Sequence, residues 1–155
     1  MTTKVTRNVL LFLLAFLGVG ALGGGGLLTA SPSGKLMGMP LSMLAHSPFT
    51  DFLVPGLILF TVLGVAPCLL VVALLKKPES AFANRLNAFK DMHWAWTGSI
   101  YVAFALVGWL QVQMSFLEAV NWLHTGYMLL ALVILFVALL PKNRALYQIS
   151  SAVKP

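Results

Sequence analysis

Charge is what this sequence has least of. Only 9% of its 155 residues are Asp, Glu, Lys or Arg, while 59% are apolar, far from the balance of a soluble globular domain. A water-soluble domain of this size cannot hide so much apolar surface, so the bilayer is expected to be the main solvent. Carboxylates are scarcer still, with four Asp and Glu against ten Lys and Arg. The net charge of +6 raises nucleic acid as a partner. The basic residues, however, flank apolar runs and form no stripe with interleaved aromatics, which fits anionic headgroups and argues against nucleic acid. A single cysteine, Cys68, excludes an intramolecular disulfide, a Cys-x-x-Cys redox pair and a thiolate zinc cage. A four-helix, quinone-linked thiol oxidase is excluded by the same count. No Lys, Arg, Asp or Glu lies deep in an apolar run, which argues against a proton-driven pump or an ion-coupled transporter.

What the sequence does have is long apolar runs. A helix needs about 20 apolar residues to cross a bilayer, and four stretches qualify: about Val9 to Leu28, Phe52 to Leu75, Trp94 to Met114, and Val120 to Leu140. Lys4 and Arg7 precede the first; Lys76, Lys77, Arg85 and Lys90 separate the second and third; Lys142, Arg144 and Lys154 follow the fourth. Of the ten basic residues only Lys35 falls elsewhere. The positive-inside rule therefore places both termini and the second loop in the cytoplasm. Lys4 and Arg7 followed by Val9–Leu17 also fit a secretory signal. The apolar run continues past the usual length and shows no convincing small-x-small cleavage pattern near Thr29 and Ala30, so the span is expected to be retained.

Gly18, Gly20 and Gly23–Gly26 make the first span a weak intrinsic helix. In lipid its backbone must still bond internally. Gly20 and Gly24, spaced as Gly-x-x-x-Gly, are candidates for close helix packing; a flexible gate is the alternative. The first loop, Ser31 to Asp51, carries Leu36, Met37, Met39, Leu41, Met43 and Leu44, too apolar for a solvated linker, so a partly embedded hairpin or interfacial helix is expected. Ser47-Pro48 reads as a helix start with Asp51 in its first turn. Pro55 is expected to bend the chain, and Pro67 to kink the second span near Leu63-Gly64. Phe82, Leu86 and Phe89, interrupted by Arg85 and Lys90, predict a basic amphipathic turn. His93, Trp94 and Trp96 predict an inner interfacial belt and Trp122 an outer one.

Candidate chemistry gathers on the external side. Glu118, Asn121 and His124, three apart, would share a face at the start of the fourth helix. His46 and Asp51 belong to the same side, and together these groups could bind a divalent metal or relay protons. The plainer reading is that Glu118 and Asn121 cap the helix while His124 sits at headgroup level. Met37, Met39 and Met43 beside His46 offer soft copper(I) ligands or simply apolar filling. His46 and His124 would ligate a haem only if the first loop folds inward. Gln111 and Gln113, two apart on the third helix, point to different faces, so at least one should meet protein.

The stretch Gly38-Met-Pro-Leu-Ser-Met-Leu-Ala-His-Ser-Pro-Phe-Thr-Asp-Phe-Leu-Val-Pro-Gly-Leu-Ile-Leu-Phe60 resembles a signature of small uncharacterised bacterial membrane proteins. Those proteins show Leu-Gly-x-Pro, then Ser-Pro-Phe, then an aromatic and Pro-Gly-Leu. Trp109-Leu-Gln-Val-Gln113 and Trp122-Leu-His-Thr-Gly-Tyr127 resemble the Trp-x-x-x-Gln of their third helix and the segment opening their fourth. The resemblance implies four helices in a bacterial inner membrane and assigns no activity; the basic stretch Pro78–Asp91 is longer than the family's loop.

The expectation is one all-α domain over residues 1–155, a four-transmembrane-helix bundle with a partly embedded extracytoplasmic hairpin between the first two helices. No cofactor and no enzymatic activity are expected, since no nucleophile–base, metal-cage or cofactor motif occurs. The expected partners are lipid and other membrane proteins, or a second copy. A ligand carrier or sensor and a haem or copper redox subunit are the alternatives.

Overall fold

The computed structural model describes residues 2–118 and 120–149; Lys154 lies outside them. Four long helices form an up-and-down ring: α1 (Thr3–Ala30), α2 (Leu53–Lys76), α4 (Trp94–Leu117) and α5 (Trp122–Leu139). Each is long and apolar enough to cross a membrane. Even α5, at 18 residues, reaches about 27 Å, close to the hydrocarbon thickness of a bilayer. Two short helices, α3 (Ala81–Leu86) and α6 (Pro141–Tyr147), lie at the end where α1 begins. This is the termini end; the hairpin of residues 31–52 closes the other. Neighbours in the ring are α1–α2, α2–α4, α4–α5 and α5–α1. Their inward residues, among them Leu10, Leu14 and Leu17 of α1 and Ala131, Ile134 and Ala138 of α5, make one buried core. No strand is present among the described residues, apart from an isolated bridge between Met92 and Gln148.

The glycines of α1 divide by face. Gly18 and Gly25 are buried, whereas Gly20 and Gly23 are exposed and Gly24 is half-buried. A Cβ on Gly25 would stand 2.5 Å from the Phe60 backbone nitrogen and 2.8 Å from the Gly56 carbonyl. Gly56 in turn would meet the Leu28 Cβ at 2.8 Å. The α1 and α2 backbones thus approach to a distance that only glycine permits. A Cβ on Gly20 would meet the Tyr127 hydroxyl, and one on Gly24 only a Leu59 methyl at 3.6 Å.

Helix α2 departs from the sequence expectation in two places. Pro55 lies inside the first helical turn and not before the span, and its missing N–H there has no intrahelical partner to lose. Ser47-Pro48 does not start the helix. The Ser47 hydroxyl donates to the Leu44 carbonyl and accepts from the Phe49 N–H, which holds a turn, and helix begins only at Leu53. Pro67 is accommodated one turn upstream by a π-helical run, Leu59–Val65, after which the Ala66 N–H bonds to the Thr61 carbonyl. The longer step locally re-pairs a ladder from which proline has removed a donor.

At the termini end, several buried side chains bond to the backbone of other segments, although Arg7 Nε, His93 Nε2 and Asn143 Oδ1 are buried without a partner among the described residues. The Asn143 amide, fully buried, donates to the Val137 carbonyl at 2.7 Å and to the Thr6 carbonyl at 3.3 Å, joining α6 to α5 and α1. Asn87 donates to the Met92 carbonyl and accepts from the Thr97 hydroxyl at 2.6 Å. Tyr147 donates to the Leu74 carbonyl, while the Lys77 ammonium sits over its ring and donates to the Leu146 carbonyl. Burial raises the Tyr147 pKa, and the nearby Arg7 charge opposes that rise. Trp96 is no belt residue: it is 1% exposed and its indole donates to the Ala138 carbonyl. A ring facing the bundle with a partner for its N–H is stable inside protein. The expected amphipathic turn is present as α3, capped by Ser80 and presenting Phe82 and Leu86 outward.

Candidate functional site at the hairpin end

The hairpin is held by apolar contacts. Gly34, at φ +74°, turns the chain where a Cβ would strike the Met39 carbonyl, so only glycine fits. Two short 3-10 turns follow, Lys35–Met37 and Leu41–Leu44. The Phe52 N–H then returns to the Pro32 carbonyl at 2.9 Å. Leu44 and Phe52 bury against Leu28 of α1, with Met39, Met43 and Phe49 packed around them. Two of the three loop methionines therefore serve as apolar filling here. Phe49 meets Phe116 of α4 edge-on, at 6.0 Å between ring centroids.

Beneath this cover lies a cavity of about 40 Å³, lined by Leu28, Phe52, Trp109, Gln113, Phe116 and neighbouring apolar side chains. Gln113 is half-buried in this lining and Gln111 is exposed on the opposite side of α4, the divergence their spacing predicts. The Trp109 indole nitrogen is buried and has no acceptor among the described residues.

The five polar candidates are used locally. His46 Nδ1 lies 3.5 Å from Glu118 Oε2, with both side chains mostly exposed at 64% and 66%. Asp51 accepts from the Leu53 N–H at 2.9 Å and so steadies the first turn of α2. Glu118, Asn121 and His124 do not share a helical face. Glu118 ends α4 in the left-handed conformation at φ +46°, and the chain is extended at Asn121 before α5 begins. The physical reason is capping preference: asparagine is a strong N-cap. Asn121 accepts from the Leu123 and His124 N–H groups, while His124 Nδ1 accepts from the Asn121 N–H at 3.2 Å. The reciprocal pair is a capping box with histidine in the place usually held by glutamate or glutamine.

His124 is buried and borders a shallow surface groove with Met114, Thr125, Met128 and Leu129, a set that does not include His46. Among the described residues no three His, Cys, Asp or Glu side chains come together to hold a metal ion. What the arrangement does chemically is terminate helices and latch the hairpin to α4. Sequence reasoning did not single out Asn87, Asn143 or Tyr147, which carry the buried polar contacts. Nothing in their spacing sets them apart from ordinary loop residues.

Comparison with family models, with curated proteins and with solved structures gives no match.

Proposed function

We propose that this multi-pass membrane protein is a non-enzymatic assembly protein, whose role is to hold a partner within the membrane through the outward face of α4. The observation that carries this reading is Gln111. Counting about 1.5 Å per residue, it lies about 9 Å inside the Leu117 end of α4, and about 6 Å inside a 30 Å hydrocarbon core centred on that helix. Its amide points away from the bundle, with no partner in the chain among the described residues. Hydrocarbon offers an amide neither donor nor acceptor, and leaving it unpaired is costly. The outward hydroxyls of Thr61 and Ser115 differ, because they donate to carbonyls of their own helices, Leu57 and Gln111. Gly108, one turn before Gln111, is exposed with open space around it, so a neighbouring helix can come close.

The location we propose is a bacterial inner membrane with both termini in the cytoplasm. It is supported by the basic residues Lys4, Arg7, Lys76, Lys77, Arg85, Lys90, Lys142 and Arg144 on the termini side of the spans, with Lys35 on the hairpin. The test of assembly is to extract the protein from its own membrane in polymer-bounded lipid discs and weigh the particles. Wild type is expected in discs holding more protein than one 16.7 kDa chain, and Gln111→Leu in discs holding one. A single chain in wild-type discs overturns the proposal.

A second reading, a carrier or sensor of a small apolar ligand, is favoured by the unpaired Trp109 indole beside the cavity. At about 40 Å³ the cavity falls well below the roughly 300 Å³ of an ordinary ligand site, so the hairpin would have to lift. This is why assembly is preferred. A haem or copper subunit has less support still, since His46 faces Glu118 and His124 spends Nδ1 on its cap.

A further inference from the structure

We infer that the groove beside His124 holds one acyl chain of a phospholipid from the hairpin-side leaflet, whose ester carbonyl accepts hydrogen bonds from His124 and Thr125. His124 is 7% exposed, and its Nδ1 accepts the Asn121 N–H. The neutral ring therefore carries its proton on Nε2. That N–H has no partner in the chain among the described residues. The ring lines a groove of about 180 Å³ with Met114 of α4 and Thr125, Met128 and Leu129 of α5. Thr125 adds a second donor. The hydroxyls of Thr29, Thr61 and Ser115 bond back to carbonyls of their own helices, whereas that of Thr125 has no such bond among the described residues.

Chemistry and depth choose the occupant. Two donors call for an acceptor oxygen, and a buried donor left unpaired is costly. His124 stands about 3 Å inside the start of α5, a helix nearly as long as the hydrocarbon core is thick, and so at the edge of that core. Glycerol ester carbonyls lie at this edge. Met128 and Leu129 follow His124 and Thr125 by one turn, on the same face and deeper in the membrane. The groove is thus polar at its outer rung and apolar at its inner one, the order in which a lipid presents its ester and its chain. Its volume admits about six water-sized groups, enough for an ester and the first carbons of its chain. Met114 and Met128 beside a histidine also raise a soft metal. The cap opposes it, because a metal on Nε2 would drive the proton to Nδ1, against the Asn121 N–H.

The experiment is native mass spectrometry of the full chain, purified in detergent and offered equal amounts of dioleoyl phosphatidylcholine and its dialkyl ether analogue. The analogue has the same headgroup and no carbonyl. Wild type is expected to hold one lipid, preferring the ester form about fivefold, the worth of one such bond in a membrane. Glutamine and glutamate both serve at the His124 position of a capping box, so two variants keep the cap and differ in the donor. His124→Gln offers the groove an N–H and should keep the preference. His124→Glu, as a carboxylate, offers none and should abolish it. A wild type that holds both lipids equally, or neither, overturns the inference. So does a preference kept by His124→Glu, or one lost equally in both variants, which would assign it to the cap.

Discussion

The two ends of the bundle are built on opposite principles. At the termini end, three buried side chains reach across to the backbone of other segments: Asn143 to Thr6 and Val137, Trp96 to Ala138, Tyr147 to Leu74. At the hairpin end, Glu118, His46 and Asp51 stay near the surface, and closure depends on Phe52, Leu44 and Leu28 and on the glycine-mediated approach of α1 to α2. The difference teaches where to look for structure and where to look for change. Directional bonds fix a single arrangement of the termini end. Apolar contacts and one exposed contact between His46 and Glu118 cover the hairpin end without fixing it so closely.

The largest break should come from α1. Gly25→Leu drives a side chain into the Phe60 backbone and is expected to cost at least about 3 kcal/mol. Gly23→Leu, two residues away with nothing within 4 Å, should be nearly neutral. Unfolding by detergent titration separates them, and equal losses would deny the close approach. Next is Asn143→Ala at the termini end, expected to cost about 2 kcal/mol through the lost bonds of a fully buried amide. A cost indistinguishable from that of an exposed loop substitution would remove the contrast between the ends.

Alkali should act on the same end. Because the folded protein holds the Tyr147 proton more tightly than the unfolded chain does, stability is full below the ordinary tyrosine value of 10.0 and falls as pH rises through and beyond it. Tyr147→Phe should flatten that alkaline decline. The smallest effect is assigned to the hairpin. His46→Ala removes one side of an exposed pair and should change stability by less than about 0.5 kcal/mol. A loss approaching that of Asn143→Ala would show that the hairpin end is locked too.

The four spans were legible because an apolar run of helical length, in a chain too small to bury it in a core of its own, belongs in lipid. Their ends were less so. α1 begins at Thr3 rather than near Val9 because Thr2 accepts from the Val5 N–H and caps it, and α4 runs on to Leu117 rather than ending near Met114. The opposed faces of Gln111 and Gln113 were legible from their spacing. The Gln111 side that faces out was not, since that depends on which neighbours α4 meets. The grouping of Glu118, Asn121 and His124 on one helix failed because Glu118 is itself left-handed and Asn121 itself extended, so one helix ends at the first and the next begins only after the second. Asn87 and Asn143 were illegible as core residues. Their sequence context is that of loops, and only the return of the chain onto α1 and α4 buries them.

The central claim is that protein, not lipid, covers the α4 face around Gln111. A lipid-soluble carbene precursor, photolysed in native membranes and read out peptide by peptide, tests it without any substitution. Phe104 and Val112 on α4 are outward in the single chain, as are Leu132 and Phe136 on α5. The account predicts several-fold less labelling on Phe104 to Ser115 than on Leu132 to Phe136. Equal labelling of the two faces would contradict it.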